Sequence, residues 1–148
     1  MPIATRTAQT TWRGPLASGT GLIQTGSGAA GELPVTWASR TERADGKTSP
    51  EELAAAAHSA CYAMALALRL GEHKLVADQL AITATVTLAE AGGLPTIVSS
   101  HLDVTARIPG LDQGAFDAVI SEASELCPVS RLFSGAEITV DATLEPQP

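Results

Sequence analysis

Hydrophobic and β-branched residues alternate loosely with polar ones in three short segments near the N-terminus, as is typical of strands. These segments cover residues 5–13, 19–25 and 33–39, and turns or loops that contain glycine separate them. Pro34 lies near the start of the third segment, where a strand tolerates a residue without an N–H group. We therefore predict a three-stranded meander in the N-terminal part of the chain.

The pattern changes at Ser49, after which apolar residues surround nearly every face of a predicted helix. Ser49 precedes Pro50, and Glu52 follows three positions later, which is the spacing of an N-cap, a first-position proline and a capping-box acid. The helix is expected to run from residue 50 to about residue 71. Because so few of its residues are polar, we predict a central, buried helix.

The second half of the chain returns to alternating patterns and adds two further helices. Leu80–Leu88 and Thr96–Ile108 are rich in β-branched residues and are predicted to be long strands. A helix is predicted over residues 113–126, a short helix from Pro128, and a last strand over Ile138–Leu144. The order βββ-α-ββ-αα-β predicts an α+β fold with an antiparallel sheet around the central helix. The length of 148 residues predicts a single domain over residues 1–148.

Composition and charge exclude several classes of partner. The chain has 9 Lys+Arg and 16 Asp+Glu, a net charge of −7, so we expect no nucleic-acid partner. Its longest apolar run, residues 53–68, is shorter than a membrane-spanning helix, and the first residues lack the apolar core of a signal peptide. We therefore expect a cytosolic protein with no membrane partner.

Aromatic residues make up only 3% of the chain, so each large apolar side chain matters to the core. Those expected in the core are Met64, Leu66, Leu68, Phe116 and Phe133. Trp12 and Trp37, or some of these core candidates, could instead line an apolar pocket beside a reactive group.

The two cysteines, Cys61 and Cys127, occupy different local environments. In a cytosolic protein such a pair is more often catalytic, redox-active or simply buried than a structural disulfide. Cys127 precedes Pro128 and should lie near the N-terminus of the short helix, a location that lowers a thiol pKa. Cys61 lies about three turns into its helix, so it would need a cation brought close to it to become reactive.

His58 shares a helix face with Cys61, which makes a metal site with Cys127 conceivable. The spacing of these residues matches no recurring zinc pattern, so we predict neither a metal nor a cofactor. A histidine in this position is more often a packed polar residue than a base, and His58 is left out of the predicted catalytic set.

Three segments carry a resemblance to a known family: ASR (38–40), SPEELAAAAHSACYAMAL (49–66) and LCPVS (126–130). Together they resemble the OsmC/Ohr family, the osmotically inducible protein C and organic hydroperoxide resistance proteins. The AAHSAC context is more similar to the OsmC branch.

The resemblance implies a thiol-dependent peroxidase that reduces organic hydroperoxides and, more weakly, hydrogen peroxide. Cys61 would be the peroxidatic thiolate, which is oxidised to a sulfenic acid, and Cys127 the resolving thiol that condenses with it. A dithiol reductant, such as a dihydrolipoyl protein, would then reduce the Cys61–Cys127 disulfide. The alternative interpretations are a non-enzymatic redox sensor or small-ligand-binding protein on the same fold, and a purely structural core.

The resemblance also matches Arg40 to the active-site arginine of the family and Glu51 to the acid that orients it, with Arg43 and Arg13 as competing candidates. Glu51 precedes Cys61 by ten residues, about 15 Å along one straight helix, which an arginine would have to stretch to bridge. Either the helix starts later than predicted, or the Arg40–Glu51 pair reaches the cysteine of a second chain. We favour the second alternative, an intertwined homodimer, which the family also implies.

Overall fold

The computed structural model describes residues 1–147 and divides the chain into two compact units, Met1–Leu53 and a second unit that begins at Ala54. The single-domain organisation predicted from the length stays a prediction. Both units contain helix and sheet, which confirms the predicted α+β class.

The first unit contains a three-stranded antiparallel meander, as the alternating pattern predicted. Its strands pair in the order β1-β2-β3. The bounds are β1 (Ala8–Arg13), β2 (Thr20–Thr25) and β3 (Glu32–Val35). Gly21 pairs with Trp12 across β1 and β2, and a Cβ atom there would lie 2.8 Å from the Trp12 ring. The absence of a side chain at Gly21 therefore leaves room for the Trp12 ring against β2.

The third strand ends earlier than predicted, at Val35, and a short helix, α1 (Trp37–Thr41), follows it. Thr36 is the N-cap of α1: its hydroxyl accepts a hydrogen bond from the Ser39 N–H at 3.0 Å. The Ser39 hydroxyl accepts in return from the Thr36 N–H at 2.9 Å. This reciprocal capping box satisfies backbone donors at the helix start and overrides the strand pattern of residues 36–39. Arg40 consequently lies on a helix rather than at the end of a strand.

The long helix α2 (Pro50–Glu72) begins where the capping signature predicted. The Ser49 hydroxyl accepts a hydrogen bond from the Glu52 N–H at 3.1 Å. The alternative in which the helix starts after residue 51 is therefore wrong. By length and composition the whole of α2 is apolar enough to cross a membrane, although the shorter run of residues 53–68 had indicated that it is not. Core helices of soluble proteins meet the same criteria.

The central helix α2 is less buried than its apolar pattern predicted. Tyr62, Leu66 and Leu70 are buried, because a spacing of four residues places them on one face of the helix. Met64 and Leu68, which were predicted to be in the core, lie on other faces and are 73% and 53% exposed. The helix therefore presents apolar side chains to its surroundings as well as to its own core.

The second unit contains a sheet of three strands, in the order β4-β5-β6. The bounds are β4 (Gln79–Ala91), β5 (Leu94–Arg107) and β6 (Glu137–Leu144). β4 and β5 form an antiparallel hairpin, but β6 pairs parallel to β5, so the wholly antiparallel sheet that was predicted is wrong. The chain between β5 and β6 forms α3 (Gln113–Leu126) and α4 (Pro128–Leu132). This helical connection returns the chain to the end of the sheet where β5 began, so the two strands run in the same direction.

The core of the second unit forms where α2, α3 and the inward face of β5 meet. Alternate residues of β5 are buried, namely Leu102, Val104 and Ala106, as expected for a strand with one covered face. Phe116 of α3 is completely buried among them, which confirms its predicted place in the core. Cys127 belongs to the same buried cluster, and Cys61 packs against it.

Candidate active site

Arg40 and Glu51 form a close ion pair within the first unit. The Arg40 Nη2 donates to Glu51 Oε1 at 2.7 Å, and Nε lies 3.0 and 3.2 Å from Oε1 and Oε2. The Glu51 side chain is only 10% exposed, and that of Arg40 30%. Two nitrogens of the guanidinium thus hold one carboxylate in a fork, the geometry that orients an arginine most strictly.

The segment between α1 and α2 is tied down by hydroxyl groups. The Ser39 hydroxyl donates to the Thr48 carbonyl at 2.8 Å, and the Thr48 hydroxyl donates to Glu52 Oε1 at 2.7 Å. The Thr48 N–H donates to the Pro34 carbonyl at 2.8 Å. Because the Glu52 carboxylate has this partner of its own, the neighbouring Glu51 is left to bind Arg40.

An apolar pocket of about 210 Å³ lies beside Arg40. Trp12 and Trp37 both line its wall, a common location that the sequence pattern did not predict. The other lining residues are Thr10, Leu16, Ile23, Val35, Thr36, Arg40 and Pro50. The pocket therefore combines an apolar wall with one cationic group.

The competing arginines do not share this arrangement. The Arg43 side chain is 86% exposed and lies 3.4 Å from Asp45, also an exposed residue. Arg13 lies at the end of strand β1, whose residues are all classed as exposed. Of the three candidates, Arg40 is the one that the structure pairs with Glu51.

Cys61 and Cys127 are free thiols that contact each other within the second unit. Burial raises the pKa of Cys61, and the adjacent Cys127 raises it further. The backbone N–H of Val129, in the first turn of α4, donates to the Cys61 sulphur and acts in the opposite direction. This donor could not be predicted from the sequence, because residues 61 and 129 meet only when α4 packs against α2.

Cys127 lies at the N-cap of α4, as predicted, but it forms no side-chain capping hydrogen bond with the described residues. Its side chain is completely buried, whereas Cys61 is partly exposed. On local position alone Cys127 was expected to be the more reactive thiol. Its burial instead makes Cys61 the thiol that a small molecule can reach.

His58 is a residue whose surroundings the sequence did not reveal. It is completely buried, and burial lowers its pKa. Its Nδ1 lies 2.6 Å from the Ser100 hydroxyl and its Nε2 lies 2.7 Å from the Ser130 hydroxyl. Ser130 is the last residue of the LCPVS segment, so the histidine and that segment are structurally linked.

Among the described residues, one group of side chains has the spacing of metal ligands. His101 Nε2 lies 3.4 Å from Asp103 and 3.2 Å from Asp141, on the exposed face of the second sheet. The thiols are not part of this group. It therefore has no evident connection with the Cys61 site.

Comparison with known proteins decides the family. The family model for OsmC-like proteins matches residues 43–143, a region that contains Glu51, Cys61 and Cys127. The chain belongs to the OsmC-like protein family. The matched region begins three residues after Arg40, so the assignment of Arg40 rests on its pairing with Glu51.

Relatives within the family cover most of the chain. Peroxiredoxin OsmC of Escherichia coli (strain K12) is 38% identical over 137 residues, which cover 93% of this chain and 94% of that protein. An organic hydroperoxide resistance protein-like protein of Mycoplasma pneumoniae is 32% identical over 76% of this chain and 78% of its own. An organic hydroperoxide resistance protein OsmC from Legionella pneumophila shares the fold, with a TM-score of 0.72. That match, at 23% identity, covers 99% of this chain and 100% of the other.

Proposed function

We propose that this protein is a thiol-dependent peroxidase that reduces organic hydroperoxides. The observation that carries the proposal is the contact between two free thiols, one partly exposed and one completely buried. The names of two relatives, peroxiredoxin OsmC and organic hydroperoxide resistance protein-like, support a peroxidase role.

The proposed reaction uses the two cysteine thiols and one external dithiol reductant. The Cys61 thiolate attacks the terminal oxygen of the hydroperoxide, so that an S–O bond forms and the O–O bond breaks. The alkoxide leaves, takes up a proton to become an alcohol, and Cys61 is left as a sulfenic acid. The Cys127 thiol then attacks this sulphur and releases water, giving the Cys61–Cys127 disulfide. A dithiol reduces the disulfide by exchange and is itself oxidised to a disulfide.

Arg40 would supply the positive charge that this chemistry needs. Burial raises the pKa of Cys61 despite the Val129 N–H, so the surroundings within the second unit favour the thiol over the reactive thiolate. A guanidinium stabilises a thiolate by charge and can donate hydrogen bonds to the peroxide oxygens. The Glu51 fork would hold it in a fixed direction while it does so.

The pocket beside Arg40 indicates the class of peroxide. Its walls include two indole rings and aliphatic side chains, which favour contact with an alkyl or aryl group over contact with water. A volume of about 210 Å³ accommodates a small organic group. We therefore expect organic hydroperoxides to be better substrates than hydrogen peroxide, which has no group to fill the pocket.

We further propose that each site is shared between two copies of the chain in a homodimer. The most apolar stretch of α2 is only 28% buried, and Met64 borders a groove of about 500 Å³ lined mainly by apolar side chains. A second copy would cover this surface. The start of α2 at Pro50 supports the partner chain as the source of the arginine, because it removes the alternative of a later helix start.

Mixing two inactive variants tests the sharing. A Cys61→Ser chain keeps Arg40, and an Arg40→Met chain keeps Cys61. If arginine and thiol come from different chains, random subunit exchange restores about a quarter of the wild-type sites, since half of the dimers are mixed and each has one complete site. If both groups come from one chain, mixing restores no activity, and the shared site is wrong.

Peroxide consumption with a dithiol tests the function itself. Wild type is expected to turn over cumene hydroperoxide repeatedly with dihydrolipoamide, and Cys61→Ser to be inactive. Cys127→Ser should consume one equivalent and accumulate sulfenic acid, which a dimedone probe labels. Full activity in Cys61→Ser would contradict the mechanism. Oxidation of wild type without repeated turnover would favour the redox-sensor alternative.

A further inference from the structure

His58 is a buried titratable side chain to which the proposed reaction gives no role. Each of its ring nitrogens contacts a serine hydroxyl: Nδ1 lies 2.6 Å from Ser100, and Nε2 lies 2.7 Å from Ser130. A neutral imidazole has one N–H donor and one acceptor nitrogen, and hydroxyl groups can complement either. Burial lowers the pKa of His58 from its ordinary value of 6.5, which keeps the ring neutral near pH 7.

The two serines connect His58 to different elements. Ser100 lies in β5, whereas Ser130 lies in α4, the five-residue helix that follows Cys127. Phe133, the C-cap residue of α4, also contacts His58: the ring centroids are 5.2 Å apart and the planes meet at 83°. His58 therefore contacts α4 both by a hydrogen bond and by an edge-on aromatic contact.

The helix α4 in turn forms one side of the thiol site. Cys127 immediately precedes it, and the Val129 N–H within it donates to the Cys61 sulphur. Ser130 is the next residue after Val129. A helix of five residues has little stability of its own, so its position depends on tertiary contacts.

We infer that His58 is a positioning residue: through Ser130 it holds α4 so that the Val129 N–H and the Cys127 thiol stay against the Cys61 sulphur. The catalytic meaning of this inference rests on the proposed function, but its geometry involves only residues 58–133 of the second unit. When the Ser130 contact is lost, α4 is free to shift. The Cys61 thiolate then loses its backbone donor and becomes harder to form.

Ser130→Ala and Ser100→Ala form a matched pair for the test. Each substitution removes one serine hydroxyl that contacts the buried His58 ring, so each should lower the free energy of unfolding by a similar amount. Only Ser130→Ala releases α4. Two substitutions of the histidine itself complete the set, because the His58→Asn amide reaches as far as Nδ1 and the His58→Gln amide as far as Nε2.

The measurement is the rate at which iodoacetamide alkylates Cys61 in the fully reduced protein, followed by mass spectrometry of the Cys61 peptide across a range of pH. Ser130→Ala and His58→Asn are expected to slow alkylation near pH 7 by about threefold to tenfold, because a lost hydrogen bond raises the thiol pKa by up to about one unit. The pH at which the alkylation rate reaches half of its maximum should be higher in these two variants than in wild type. Ser100→Ala and His58→Gln should remain within about twofold of wild type.

Equal alkylation rates in Ser100→Ala and Ser130→Ala would overturn the inference, whether both are slowed or neither is, since His58 would then have only a structural role. The readout does not need peroxidase activity. If wild type consumes no peroxide but Ser130→Ala still slows alkylation, the proposed function fails and the positioning role stands.

Discussion

The unit formed by Met1–Leu53 and the unit that begins at Ala54 hold their functional side chains by different means. In the first unit, hydrogen bonds do most of the positioning: a capping box starts the helix that carries Arg40, and a carboxylate fork orients its guanidinium. In the second unit, Cys127 is buried in a continuous apolar core and Cys61 packs against it.

The difference follows from the chemistry of the two groups. A guanidinium stays charged, so it needs polar partners wherever it leaves water, and here the buried Glu51 carboxylate orients it. A thiol behaves as a small apolar group, so most of its surface can be held by packing. Substitutions in the first unit should therefore change reactivity more than stability, and core substitutions in the second unit should do the reverse.

The largest expected effect is on the core of the second unit. Phe116→Ala removes a completely buried ring and should lower the free energy of unfolding by about 3–5 kcal/mol in urea denaturation. Leu94→Ala is the control, because that side chain is 68% exposed and should change stability by less than about 0.5 kcal/mol. A loss below about 1 kcal/mol for Phe116→Ala would mean that packing does not dominate this unit.

The second largest effect is expected at Arg40, where a substitution should change the rate of peroxide consumption but not the stability. Arg40→Met keeps an apolar stem of similar length, and we expect it to slow peroxide consumption by about 100-fold, since removal of one electrostatic stabiliser from a site costs that much or more. Arg43→Met and Arg13→Met are the controls and should retain wild-type rates, because neither side chain shares the Glu51 contact. A comparable loss in either control would move the proposed role to that arginine.

Stability should also depend on pH through His58. Burial lowers its pKa in the folded state, so below about 6.5 the unfolded chain binds a proton that the folded chain does not. The free energy of unfolding should therefore fall as pH decreases from 6.5 towards the lowered pKa, by at most about 1.4 kcal/mol per pH unit, and be independent of His58 above that range. His58→Gln should remove this part of the slope. An unchanged slope would show that His58 titrates normally in the folded protein.

The smallest expected effect is at the start of α1. Thr36→Ala removes the N-cap hydroxyl and should destabilise the protein by about 1 kcal/mol, while Thr36→Ser keeps the cap and should stay within a few tenths. Because α1 carries Arg40, Thr36→Ala should also slow peroxide consumption. If stability falls and activity does not, the capping box is not needed to orient the arginine.

Short-range signals made several parts of the fold predictable. The start of α2 at Pro50 follows from Ser49 and Glu52, which act within one helical turn. The α1 helix was missed because residues 36–39 fit both a strand pattern and a capping box, and the reciprocal Thr36–Ser39 hydrogen bonds decide between them. The direction of β6 was also wrong, because strand direction depends on how α3 and α4 cross the sheet.

The sequence by itself determined the family motifs and the start of α2, and it proposed four candidate site residues. Only the tertiary structure decided that Arg40 rather than Arg43 pairs with Glu51, that the Val129 N–H meets the Cys61 sulphur, and that His58 binds two serines. Local signals suffice where the interacting groups lie within a few residues of one another. The contacts around Cys61 join segments tens of residues apart, so they exist only once the core has brought α2, β5 and α4 together.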